Sequence, residues 1–289
     1  VTSNTDQAEA ALLELRNQID SIDQQIQQLI NQRATCAQQV AEVKQQFSNQ
    51  HPAVFYRPER EAQVLRRVME RNQGPLPDQD MARLFREIMS VCLALEQPMM
   101  VAYPGPEGGY TEQAVRKHFG FSVKGIAMSD PEQSFKAVEE GRCHYAVTPI
   151  ESTQEGLVSH TLDLFRRYDL RICGEVELEL DPSDDKTLVA DTRYLVLGRQ
   201  YVGPSGQDKT SILLTLPDQP GVLHDVLGIF RNRGISLTRL ESRTWQQYSL
   251  FYIDFQGHQE DELIKEALAE LPHENNSLKV LGSYPRAVL

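Results

Sequence analysis

The sequence predicts a three-part protein with an all-helical first third, an α/β middle and an α+β end. Three observations carry this. Apolar residues between Leu12 and Val43 recur in alternating steps of three and four. From Pro98 onward, short apolar runs alternate with amphipathic stretches. Beyond Lys209, strand-like and helix-like segments follow one another in the order βαββαβ.

The first part spans residues 1–97. Leu12, Leu15, Ile19, Ile22, Ile26, Leu29, Arg33, Cys36, Val40 and Val43 form a heptad-like seam on one helix of about ten turns. A helix this long cannot bury its stripe against itself, so it requires partner helices or a second subunit. Ser48-Asn49-Gln50-His51-Pro52 breaks it. A second helix runs from about Pro58 to Asn72, with Val64, Leu65 and Val68 inward. Gly74-Pro75-Leu76-Pro77 ends it. Asp78 or Asp80 can cap a third, which carries Met81, Leu84, Phe85, Ile88, Met89, Cys92 and Leu95.

The second part, 98–202, opens with the apolar run Met99 to Tyr103 and the turn-rich Pro104 to Gly109. A helix from near Thr111, a strand over Phe121 to Ile126, a helix over Pro131 to Glu140 and a strand over Tyr145 to Pro149 follow. A helix near Leu157 to Arg167 and strands over Leu170 to Leu180 and Thr192 to Leu197 complete an α/β layer. The third part, 207–289, has strands over 211–216, 235–242, 248–255 and 277–281, with helices over 222–232 and 261–271. That order is the one of a ferredoxin-like fold.

Composition narrows the function. The chain has 289 residues, 40% hydrophobic and 24% charged, an ordinary balance for a globular protein. No apolar run is long enough to cross a bilayer. Val1 to Ala10 lack the basic-then-apolar order of a signal peptide, so the expected location is the cytoplasm. Cys36, Cys92, Cys143 and Cys173 are scattered without a C-x-x-C pair, which argues against a disulfide framework or a zinc site. The net charge of −12 repels nucleic acid and anionic lipid, so neither is an expected partner. An anionic ligand would need locally concentrated cations.

The helical part carries cations in unusual places. Arg33 interrupts the apolar seam, and Lys44, eleven residues on, lies on nearly the same face. A buried unpaired guanidinium is costly, so Arg33 calls for a bound anion or an acidic neighbour. Arg60 and Glu61 open the second helix, and Glu96 follows Leu95 near the end of the third. Taken singly, Arg16 and Arg60 read better as surface charges in salt bridges.

As a set, these residues resemble the AroQ-type chorismate mutase domain of the chorismate mutase–prephenate dehydratase family. The match runs from Leu12-Leu13-Glu14-Leu15-Arg16 through Arg33, Lys44, Arg57-Pro58-Glu59-Arg60-Glu61 and Arg83-Leu84-Phe85 to Glu96. Cys92 stands where the family has serine. The resemblance implies rearrangement of chorismate to prephenate by an all-helical dimer. That pericyclic reaction needs no cofactor, metal or nucleophile, only a held conformer and stabilised charge on the breaking ether oxygen. Arg16, reaching across from a second subunit, and Arg33 would clamp the carboxylates. Lys44 and a protonated Glu96 would donate to the ether oxygen, Glu61 would accept the substrate hydroxyl, and Arg60 would brace the site.

The middle part resembles the family's prephenate dehydratase domain through Gly105 to Thr111, Pro149-Ile150-Glu151-Ser152 and Thr192-Arg193-Tyr194. Gly109, Ser152 and Tyr194 depart from the family pattern, and only Asp181 to Asp191 stand where the family has a second lobe. The resemblance therefore implies one lobe of periplasmic-binding-protein type, with Thr192 and Arg193 as a dehydratase-like remnant and a degenerate site. A surviving activity of the Thr192-Arg193 pair is the opposing reading.

The last part resembles an ACT regulatory domain. Pro220-Gly221-Val222-Leu223 and Glu241-Ser242-Arg243-Thr244 stand at its two effector motifs, and Leu281-Gly282-Ser283-Tyr284-Pro285 resembles its closing strand. This implies phenylalanine as effector, held by Gly221, Val222, Leu223, Glu241, Ser242 and Arg243, in a homodimer or higher oligomer. Three readings follow: a mutase with a regulatory tail, a fully bifunctional mutase–dehydratase, and a silent phenylalanine-responsive regulator.

Overall fold

The computed structural model describes residues 4–46, 56–152, 156–157, 159–178, 192–245, 247–273 and 277–289. The chain divides into two compact units, one of residues 1–55 with 91–97 and one of residues 56–90 with 98–289. Among the described residues no helix is long and apolar enough to cross a membrane.

The first unit is built on α1 (Asn4–Gln46), a helix of 43 residues. Its partly covered line is Ile30, Ala34, Ala37, Ala41 and Lys44, spaced at four and three, with Ala41 buried. The heptad seam lies on another face and stays open. Leu12, Leu15, Ile19, Ile22, Ile26, Leu29, Val40 and Val43 are all about half exposed.

In the second unit, α2 (Pro58–Glu70) starts on a proline at its first turn, where the missing N–H costs nothing. Ala62, Leu65 and Val68 are its buried line. Asn72 donates to Leu76 O and Asp78 Oδ1, both at 2.8 Å, and shapes the turn into α3 (Asp78–Glu96). The apolar residues of α3 do not all face inward. Its buried line is Ala82, Arg86 and Ser90, whereas Leu84, Val91 and Leu95 are exposed.

The middle part forms β1 (Met100–Pro104), α4 (Tyr110–Phe119), β2 (Lys124–Met128), α5 (Pro131–Glu139) and β3 (Tyr145–Ser152). The short β4 (Gly156–Leu157), α6 (Ser159–Arg167), β5 (Arg171–Leu178) and β6 (Thr192–Gly198) follow. The strands order as β2-β1-β3-β6-β5, with β4 beside β3. β1 runs parallel to β2 and β3, and β6 runs antiparallel to both β3 and β5. β2 starts later than the sequence predicts. Gly120 ends α4 at φ 77°, and Arg116 donates to Phe121 O and Val123 O, so Phe121 is drawn into an exposed turn. The departures Ser152 and Asp181 to Asp191 fall where side chains or backbone lie outside the described residues.

The last part forms β7 (Asp208–Pro217), α7 (Val222–Asn232), β8 (Leu237–Trp245), β9 (Tyr248–Gln256), α8 (Glu262–Glu270) and β10 (Leu278–Pro285). Its antiparallel sheet orders as β10-β7-β9-β8. Alternation along β7 and β9 sends Ile212, Leu214, Ile253 and Phe255 toward Val226, Phe230 and Ile264 of the helices. Leu213, Leu250, Tyr252 and Tyr284 join the core of the middle part. At Gly282 a side-chain carbon would collide with the Ile172 carbonyl of β5, so glycine is what lets β10 and β5 approach.

Candidate functional site

Lys44 near the end of α1 and Glu96 at the end of α3 meet within the first unit. Lys44 Nζ donates to Glu96 Oε2 at 3.4 Å, and the two side chains are 26% and 10% exposed. Cys92, one turn before Glu96, is buried. Arg16 and Arg33 lie on exposed stretches of α1. The two residues assigned to the ether oxygen are thus adjacent, while the two assigned to carboxylates point to solvent.

Arg60 is exposed. Glu61 is not: Arg86 Nε stands 3.3 Å from its Oε1, with side chains 10% and 15% exposed respectively. Burial raises the Glu61 carboxyl pKa, and Arg86 opposes that rise. Arg86 also donates to Lys117 O at 2.7 Å. The Tyr56 hydroxyl bonds His118 Nε2 at 3.1 Å beside this pair. Burial, with Arg86 close by, holds the His118 pKa down at about 3, so the imidazole is neutral. These groups line a cavity of about 30 Å³ with Cys173, Glu175 and the 285–289 tail. That is room for about one water and no more. Arg86 was not among the site residues read from the sequence. Its signal was a charge on the line Ala82, Arg86, Ser90.

Arg193, from the Thr192-Arg193 pair, turns toward the last sheet. It donates to Glu175 Oε2 through Nε at 2.9 Å, to Asp254 Oδ2 through Nη1 at 2.6 Å and to the Tyr284 hydroxyl through Nη2 at 3.0 Å. Lys209 Nζ donates to the same Glu175 oxygen at 2.7 Å, and Ser211 donates to Asp254 at 2.6 Å. Two cations and two carboxylates therefore cancel in a buried cluster shared by β5, β6, β7, β9 and β10. Thr192, its neighbour, is 9% exposed and pairs with Leu178 and Ser152 in the sheet.

In the last part, Gly221 caps α7 at φ 91°, a left-handed conformation that suits glycine, and Val222 and Leu223 follow half-buried. Arg239, Glu241 and Arg243 alternate along β8 and share one face. Arg239 pairs with Glu151 of β3 and stands 3.6 Å from Glu241, and Arg243 pairs with Asp163 of α6. Ser242 lies between them, exposed on the other face. Among the described residues no group of three or more His, Cys, Asp or Glu could hold a metal ion.

Three protein families match consecutive stretches: chorismate mutase type II over residues 15–97, prephenate dehydratase over 101–183 and the ACT domain over 210–273. They define a class of proteins of aromatic amino acid biosynthesis that joins a mutase domain, a dehydratase domain and an ACT domain. A Stutzerimonas stutzeri protein named bifunctional chorismate mutase/prephenate dehydratase is 40% identical over 368 residues, covering 99% of this chain and 100% of the relative. A Pseudomonas aeruginosa protein of the same name is 40% identical, covering 95% of this chain and 98% of the relative. The chain belongs to the bifunctional chorismate mutase/prephenate dehydratase family. Among solved structures, the prephenate dehydratase of Streptococcus mutans is 33% identical with a TM-score of 0.56, covering 65% of this chain and 98% of that one. The Arthrobacter aurescens prephenate dehydratase in complex with L-Phe shares the fold at 24% identity and a TM-score of 0.57, covering 65% of this chain and 90% of that one.

Proposed function

We propose that this chain rearranges chorismate to prephenate at a site built around Lys44 and Glu96. The observation that carries the reading is their contact at 3.4 Å, since donors to one ether oxygen must converge. Arg16 and Arg33 act as carboxylate clamps and Arg60-Glu61 as the hydroxyl contact, with Arg60 bracing. For Glu61 this requires that the Arg86 pair open, because the cavity beside it is far too small for the substrate. The half-exposed seam of α1 supports assembly through a second copy, which would bring Arg16 to a neighbouring site.

The names of the relatives favour a bifunctional enzyme, which also dehydrates prephenate, over the degenerate dehydratase expected from sequence. One observation supports the second reading. The alignment to the Stutzerimonas relative takes 368 positions against 289 residues here, so at least 79 of them have no residue of this chain. In this assignment the domains are 1–97, 98–202 and 207–289, the middle a lobe of periplasmic-binding-protein type and the last ferredoxin-like. The last binds phenylalanine through Gly221, Val222, Leu223, Glu241, Ser242 and Arg243. The setting is the cytoplasm. Loss of chorismate absorbance tests the mutase, and phenylpyruvate formation from added prephenate tests the dehydratase. Inertness toward chorismate overturns the first, and inertness toward prephenate alone restores the degenerate reading.

A further inference from the structure

The effector motif on β8 does not stand free. Arg239, Glu241 and Arg243 occupy alternate positions, so their side chains leave the strand on one side. On that side stand two carboxylates of the middle part, Glu151 at the end of β3 and Asp163 in α6. Glu151 pairs with Arg239 and Asp163 with Arg243. The four side chains are between 22% and 33% exposed, half withdrawn from water but reachable. With Glu241, the row holds two guanidinium groups and three carboxylates.

That row has the chemistry that recognises an α-amino acid zwitterion. A guanidinium takes the α-carboxylate through paired N–H donors, and a carboxylate takes the ammonium. Here the guanidinium positions are already filled by side-chain carboxylates. Asp163 and Glu151 have the same charge and geometry as the α-carboxylate of a free amino acid. A ligand reaching Arg243 must therefore displace a group of its own kind.

We propose that Glu151 and Asp163 are built-in competitors for the effector, and that an amino acid binds the last domain by exchanging with them at Arg239 and Arg243. The inference rests on the effector reading given above and adds its route of communication. When the ligand carboxylate takes Arg243, Asp163 is released on α6. When Arg239 lets go of Glu151, the end of β3 is released. Glu151 pairs in the sheet with Arg193 and stands next to Ser152, so the released strand end is the one that carries the Pro149-Ile150-Glu151-Ser152 signature. Binding at β8 thereby alters the middle part without a long chain of intermediaries.

The apparent affinity of a site is its intrinsic affinity reduced by the fraction of molecules in which the site is open. Removing a competitor raises that fraction. Asp163→Asn keeps the shape and a hydrogen-bonding oxygen but removes the charge. Titration calorimetry of the full chain with phenylalanine should show Asp163→Asn binding about three- to ten-fold more tightly than the unaltered chain. Glu151→Gln should show a gain in the same direction. Asp163→Glu, which keeps the competing charge, should stay near the parent value. Circular dichroism of each variant checks folding. If the parent chain binds and Asp163→Asn binds equally or more weakly, the exchange is overturned while the effector site stands. If the parent chain takes up no phenylalanine at millimolar concentration, the effector reading fails and this inference falls with it.

Discussion

Replacing Arg193 by methionine removes the centre of the buried charge cluster while keeping an unbranched chain in its place. Three groups lose a partner. Glu175 retains Lys209 at 2.7 Å, and the Tyr284 hydroxyl retains Ser211 at 2.7 Å. Asp254, with its side chain 1% exposed, is left with only the Ser211 hydroxyl among the partners named above. One buried carboxylate without a cation costs about 3–5 kcal/mol. At roughly 2–4 °C per kcal/mol for a chain of a few hundred residues, the melting temperature should fall by about 6–20 °C. Thermal and urea unfolding followed by circular dichroism measure it. Arg193→Met combined with Asp254→Asn should recover most of the loss, because no unpaired charge remains. The dependence on acid adds a second check. Burial alone would push the Glu175 pKa up, but Arg193 and Lys209 outweigh it and hold the pKa below the ordinary value. A depressed folded pKa contributes stability that is complete above the unfolded pKa of about 4.3 and is lost as pH falls through the lower folded value. In Arg193→Met that depression shrinks, so acid unfolding should begin at higher pH. A variant that melts within about 1 kcal/mol of the parent, yet loses turnover of prephenate, would show that Arg193 serves substrate and not the fold.

Three further outcomes are expected. Lys44→Ala and Arg33→Ala should each lower mutase turnover on the order of 10²–10³-fold with folding intact, and parental rates in either would remove it from the site. Glu96→Ala should lower mutase turnover with folding intact, because it removes one of the two groups that converge on the ether oxygen. Parental turnover in that variant would exclude Glu96 from the site. Gly282→Ala should destabilise the contact between β10 and β5, since the added carbon meets backbone that cannot rotate away, and chemical denaturation at unchanged midpoint would contradict that close approach.

Much of the fold is written in local patterns. The three- and four-residue steps of α1, the cap signal before α3 and the period-two strands of the last sheet each set an element within a few residues of where it lies. What the patterns did not carry is direction. The long seam of α1 marks an apolar face, but the face partly covered within the chain is the small-residue line through Ala34, Ala37 and Ala41. Arg193 belongs to a motif that names a reaction, yet its partners are 18, 61 and 91 residues away in sequence, and no local rule reports them. Arg86 is another such case. A charge in a helix is ordinarily solvated, and only the packing of α2 and α4 around α3 shows that this one is buried with Glu61 and Lys117. The family resemblance sets Lys44 and Glu96 on opposite sides of one ether oxygen, and their direct contact is visible only in the structure.

The open stripe of α1 has a thermodynamic consequence. Any partner that binds the folded helix and not the unfolded one stabilises it by mass action, in proportion to the logarithm of its free concentration. If the partner is another copy of the chain, dilution itself becomes a denaturant for the first unit. Helical signal from α1 should then melt earlier as the protein is diluted. The β-sheet unit closes its own core through Leu213, Tyr252 and Leu281, and its midpoint should stay where it was. One polypeptide would thus hold two stability scales, one set by temperature alone and one set also by how much of the protein is present.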